Sequence, residues 1–99
     1  MNKEELEKNY LYKNWSIRPD YYYRIQYYEY VDDNGAPLSI QKIVIGKILN
    51  FGRKKFPIES INENGIKNLY IIHFNNIYNM MPYMEEEKYM NKINKRLME

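Results

Sequence analysis

The chain has 99 residues, of which 44% are hydrophobic and 28% charged, with a formal net charge of +2. This is the size and composition of one compact domain spanning residues 1–99, and it excludes a disordered tail or a collagen-like repeat. Cysteine is absent, which excludes disulfides, thiolate catalysis and cysteine-ligated zinc or iron–sulfur centres.

Taken in chain order, Asn2 to about Lys13 reads as a short helix. Asn2 is the cap, Glu5 holds the capping-box position, and Leu6 and Tyr10 share a face that Leu11 and Trp15 adjoin. Pro19-Asp20 ends that pattern. Tyr21 to Val31 alternates as a strand, with Tyr23, Ile25, Tyr27 and Val31 on one face and Tyr22, Arg24, Gln26, Tyr28 and Tyr30 on the other. Asp32-Asp33-Asn34-Gly35 is a turn that sends the chain back along residues 39–50. In that stretch Ile40, Ile43, Val44, Ile48 and Phe51 also fit a helical stripe. Strand is the preferred reading, because five residues are β-branched Ile or Val and Gly46 lies in the interior.

Phe56 to Ile61 reads as a third strand and Asn62-Glu63-Asn64-Gly65 as a second tight turn. Lys67 to Asn75 reads as a fourth, apolar on both sides and therefore expected at the covered centre of a sheet. Pro82 is expected to open a last helix. Glu85–Glu87 stand in its first turn, Lys92, Lys95 and Arg96 in its last, and Tyr83, Glu86, Met90, Ile93 and Leu97 form its seam. The expected fold is α+β: a small, mostly antiparallel sheet of about four strands with N- and C-terminal helices.

No apolar run reaches the roughly 18–20 residues that cross a bilayer. The stretch Met1-Asn2-Lys3-Glu4-Glu5 puts acids where a signal peptide is apolar. A cytoplasmic location with no membrane partner is the expectation.

Charge is unevenly spread: residues 1–35 carry a net −2, residues 36–68 a net +4, and residues 69–99 balance. The basic run Gly52-Arg53-Lys54-Lys55, with Lys42 and Lys47, could neutralise phosphates. Tyr22, Tyr28 and Tyr30 with Arg24 could stack single-stranded bases. The alternative for the rings is burial under the terminal helices or in a dimer interface, and for the basic run a solvated turn.

His73 is the sole histidine, and no motif ties Asp20, Asp32 or Asp33 to it. Glu85-Glu86-Glu87 is explained by its helix end rather than by a metal. Ser16, Ser39 and Ser60 lack the glycines of a nucleophile elbow, and no phosphate loop exists. No catalytic residue, metal or cofactor is therefore expected. Asn14-Trp15-Ser16 matches a glycosylation acceptor by chance, and the methionines around the last helix read as core filling.

Lys, Asn, Ile, Tyr and Phe make up 52 of the 99 residues, and Ile outnumbers Val thirteen to two. That composition, with stretches such as Tyr21–Tyr30 and Asn75–Met81, resembles the small proteins of AT-rich viruses. It is most similar to those of filamentous double-stranded-DNA viruses that infect hyperthermophilic archaea. The resemblance implies a heat-resistant protein of the infected cell's cytoplasm with a fold of its own. Thirteen asparagines depart from it, since hot-adapted chains reduce Asn, and leave an AT-rich bacterial phage as the other source.

The function expected from the sequence is that of a non-enzymatic viral accessory protein. It would act by protein–protein contact, through a homodimer or a host protein. The second reading is a weak nucleic-acid binder using Arg24, Lys42, Lys47, Arg53, Lys54, Lys55, Tyr22, Tyr28 and Tyr30.

Overall fold

The computed structural model describes residues 3–11 and 15–98. The expected cap Asn2, the helix end at Lys13 and the acceptor Asn14 lie outside the described residues. The elements in order are α1 (Lys3–Tyr10), β1 (Tyr21–Tyr28), β2 (Gln41–Ile48), β3 (Lys55–Ile61), β4 (Lys67–His73), a single 3₁₀ turn (Phe74–Asn76), β5 (Ile77–Glu85) and α2 (Glu86–Leu97). The strands form one antiparallel sheet in the order β4-β3-β2-β1-β5. The chain is thus α+β with a helix near each end, and its sheet has five strands where four were expected.

Two turns of the same construction set the hairpins. In the first, Gly35 donates to the Asp32 carbonyl, and the Asp32 carboxylate accepts from the amides of Asn34 and Ala36. In the second, Gly65 donates to the Asn62 carbonyl, and the Asn62 side chain accepts from Asn64 and Ile66. Both glycines sit at positive φ, +82° and +79°, where a Cβ would be strained. Residues 41–48 form a strand, not a helix, because the first turn hands them a ready pairing partner: Tyr22 to Tyr28 face Lys47 to Gln41 residue by residue.

The alternation of β1 is as the sequence predicts. Tyr23, Ile25 and Tyr27 point into the larger core, where they meet Val44, Ile58 and Met80 beneath Leu6 and Ile17. The Tyr23 hydroxyl accepts hydrogen bonds from the Arg18 amide (2.8 Å) and the Trp15 indole (3.2 Å), which ties the segment after α1 to the sheet. The opposite face is covered at one end by α2, whose Tyr89 and Ile93 pack on Tyr22 and Ile61. The backbone carbonyl of Asp20 accepts the Glu86 amide and so satisfies one free donor at the start of α2.

Two expectations are corrected. Pro82 does not open the helix: it lies inside β5, which borders the sheet and shifts register twice against β1, between Tyr22 and Tyr23 and between Gln26 and Tyr27. Proline is compatible with an edge strand because no outer neighbour needs its missing amide. The seam of α2 accordingly runs through Tyr89 and Ile93, while Tyr83 and Leu97 are exposed. Second, β4 is no central strand. It pairs only with β3, and of its residues only Ile72 is buried.

β2 and β3 share only two register positions, Lys47 with Glu59 and Ile48 with Ile58, before they diverge. The resulting cleft between the β1–β2 and β3–β4 hairpins has a volume of ≈ 460 Å³.

Candidate interaction surface

A five-stranded open sheet has two borders, and they are finished differently. Along β5, Pro82, the two register shifts and the neighbouring α1 interrupt the run of free backbone groups, and the Tyr10 hydroxyl donates to the Ile77 carbonyl at 3.0 Å. These are the devices that keep a strand edge from recruiting another strand.

β4 has none of them. It carries no proline, its register against β3 is unbroken from Lys67 to His73, and Leu69, Tyr70 and Ile71 are 62, 40 and 51% exposed. Its one ion pair, Lys67 with Glu59 at 3.8 Å, lies at the strand's start.

The hydrogen-bond phase of β4 follows from its neighbours. The Pro57 carbonyl is turned towards β2, where it accepts from Leu49. Phe56, Ile58 and Ser60 therefore face β4 and meet Ile72, Tyr70 and Asn68. The amides and carbonyls of Lys67, Leu69, Ile71 and His73 point away from β3, outward along the edge. Their side chains share one face of the sheet, so backbone and aliphatic surface are presented together.

The residues that the sequence assigns to nucleic-acid contact do not form one surface. Tyr22 is 2% exposed and stacked on Tyr89 at 4.2 Å, so its ring has no face to offer. Lys47 is paired with Glu86 at 2.9 Å and Lys42 with Glu29. Arg24, on the same face as Lys47, is half-buried, whereas Lys42 lies opposite Tyr27 on the other face. Arg53, Lys54 and Lys55 are exposed where the chain enters β3.

Tyr30 is exposed, and Tyr28 meets Tyr78 edge-on at 6.3 Å. Tyr28 also accepts from Gln41 in a polar ladder that runs through Gln26 to Asn79. The cation–ring contacts observed, Lys3 over Phe51 and Arg18 over Tyr21, involve none of the nine expected residues.

His73 is exposed on β4 opposite Lys55. Asp20 is held by Arg18 and Asp32 by its turn, so neither orients the imidazole. Among the described residues, no group of three or more His, Asp or Glu is placed to hold a metal ion. No described helix is long and apolar enough to cross a membrane. The cleft between the hairpins is lined by Tyr27, Lys42, Ile43, Ser60, Tyr70 and Tyr89, with the lysine already paired to Glu29. Of the methionines, Met80 is buried, Met84 and Met90 pack beside Tyr22, and Met98 is exposed.

The buried rings give a pH prediction. Burial pushes the Tyr22 phenol up to about 12, with Glu86, Glu59 and Tyr89 adding to the effect. Burial likewise raises Tyr10, Tyr23, Tyr27 and Tyr89. The folded chain therefore prefers the neutral phenols, and this stabilisation is fully present below the unfolded value of about 10. It is lost as pH rises from there through about 12, so unfolding by alkali in that window is expected in circular dichroism. Tyr22→Phe should remove the most alkaline step of the phenolate absorbance. An unchanged alkaline end in that variant would mean the ring is open to solvent.

Neither a protein family, nor a curated protein, nor a solved structure matches this chain.

Proposed function

We propose that the protein works by protein–protein contact and carries out no catalysis of its own, with β4 as the contact strand. The observation that carries this reading is the contrast between the two sheet borders: one is interrupted by proline, register shifts and a helix, while the other keeps an unbroken register, exposes Leu69 and Ile71, and shares a groove of ≈ 260 Å³ with Tyr27–Tyr30. An unprotected aliphatic edge is an aggregation hazard unless a partner covers it. Composition supports placing that role in the service of an AT-rich virus.

The competing reading, a nucleic-acid binder, has less support, because two of its six cations are neutralised and one of its three rings is buried. A salt series with a labelled single strand separates the two. No binding at low salt is expected, with no change on replacing Arg53, Lys54 and Lys55 by alanine. An affinity that falls steeply with salt, and less steeply in the triple variant, overturns the protein-contact reading.

A further inference from the structure

We infer that the groove between β4 and the end of β1 takes an acidic, extended segment of another protein. This rests on the reading of β4 as the contact strand, and adds where along the strand the contact lies and the chemistry of the partner.

The groove follows from how the sheet curls. β4 and β5 stand at opposite ends of the strand order, yet residues 74–76 alone carry the chain from one to the other. Ile77, the first residue of β5, is already paired with Tyr27, so the sheet bends until the end of β4 comes close to the end of β1. The Asn76 side chain bridges the two by donating to the Glu29 carbonyl at 3.0 Å. Between them is left a groove of ≈ 260 Å³, lined by Tyr27–Tyr30 on one side and by Tyr70–His73 and Asn76 on the other. Tyr27, Glu29 and Tyr70 are walls common to this groove and the larger cleft.

Its backbone is that of a peptide site. The amides and carbonyls of Ile71 and His73 point away from β3, and the groove is on that side because β3 occupies the other. A few residues of extended chain can pair with these groups by strand addition, which a sugar–phosphate backbone cannot do. Beside them Tyr27 is buried and Tyr70 is 40% exposed, a surface on which an aliphatic side chain of that segment can lie.

Charge sets the sign of the partner. Register places Lys55 opposite His73, and the Phe74 amide donates to the Lys54 carbonyl at 2.9 Å, so the basic run Arg53–Lys55 stands at the His73 end of the groove. All three side chains are exposed, and among the described residues none of them is ion-paired. The acid in the groove wall, Glu29, is already matched by Lys42. The uncompensated charge here is therefore that of three cations. A strand edge alone would accept any extended chain; three free cations at one end of it favour a segment that carries carboxylates and disfavour a basic one.

Two labelled peptides and the full chain test this. One peptide is a five-residue run of alternating valine and threonine with three glutamates at each end, and the other has lysines in place of the glutamates. Fluorescence anisotropy at low salt should show the acidic peptide bound at least about tenfold more tightly, the scale of a few exposed ion pairs. That preference should vanish in the Arg53→Ala, Lys54→Ala, Lys55→Ala variant at unchanged circular dichroism. In the native chain, the acidic peptide should slow amide exchange at Ile71 and His73 by about tenfold.

Equal affinity for the two peptides overturns the acidic partner while leaving β4 as the contact strand. A preference for the acidic peptide without protection of Ile71 and His73 overturns the groove. If neither peptide binds, the inference falls, and the salt series with a single strand decides separately whether the protein-contact reading stands. An oligothymidine of matched charge that binds more tightly than the acidic peptide, and loses its affinity in the triple variant, overturns both.

Discussion

Phe56→Ala should cost about 3–5 kcal/mol, a large share of the stability of a domain of this size. The ring is completely buried, with Phe51 at 5.5 Å and Phe74 at 5.3 Å between centroids, and Phe51 and Phe74 are themselves parallel at 6.3 Å. The three rings close the larger core at the end where β3 begins and the chain leaves β4. Phe51 comes from the loop after β2 and Phe74 from the 3₁₀ turn, so truncating the central ring unsupports two connections at once.

A cavity there cannot be refilled by solvent, because the lining is apolar and the neighbouring backbone is held by the bond from the Phe74 amide to the Lys54 carbonyl. Total stability for a domain of this size is about 5–15 kcal/mol. The urea midpoint should therefore fall by a fifth or more at nearly unchanged slope, and the melting temperature by about 15–30 °C. Phe56→Leu should recover over half of the loss. A cost under about 1 kcal/mol would mean that the ring trio does not seal the core.

That trio also shows which parts of the fold are readable from sequence. The alternation of Tyr23, Ile25 and Tyr27 against Tyr22, Arg24 and Gln26 is a local property of an extended chain, and the structure keeps it. Both hairpin turns are likewise local, since Asp32 and Asn62 with their glycines need only their own neighbours.

What the sequence could not supply depended on contacts distant along the chain. Pro82 followed by three glutamates has every local mark of a helix start. Only the pairing of β5 with β1 makes the same proline an edge-strand residue. Tyr22 belongs by alternation to the open face, and it is buried because Tyr89 arrives from α2, 67 residues later. Tyr89 fell outside the expected seam because that seam was phased on Tyr83, which is part of β5. The aliphatic run of β4 was legible as a strand, but a single chain cannot show whether its covering comes from the same molecule. The basic run was equally visible, and nothing local could reveal that Lys42 and Lys47 spend their charge on Glu29 and Glu86.

The second large effect is expected at Gly46, where alanine should destabilise by more than 1 kcal/mol although it is ordinarily the better strand residue. A Cβ built there would lie 2.6 Å from Ile58 Cγ1 and 2.8 Å from the Glu59 carbonyl oxygen. The isoleucine is fully buried, and the carbonyl belongs to the strand that pairs with Lys47 beside it, so neither can step aside cheaply. Restricting the unfolded chain by Gly→Ala returns about 0.4–1 kcal/mol. Overpacking a filled site costs about 1–3 kcal/mol, and this contact involves backbone, so the upper part of that range applies. The cost should exceed the gain, and Gly46→Val should be worse.

Gly46 is the point at which β3 crosses close to β2 before the two part. The added methyl should push the β3–β4 hairpin away and weaken the two register positions they share. Amide exchange at Leu49, whose amide donates to the Pro57 carbonyl, reports that directly. The comparison with the edge variants is then diagnostic. Leu69→Lys and Ile71→Lys alter exposed side chains and should leave unfolding within about 0.5 kcal/mol of the native chain. Gly46→Ala should lower stability markedly, because it disturbs the strand on which β4 is paired. If Gly46→Ala proves neutral in urea, the close crossing of β3 over β2 is wrong.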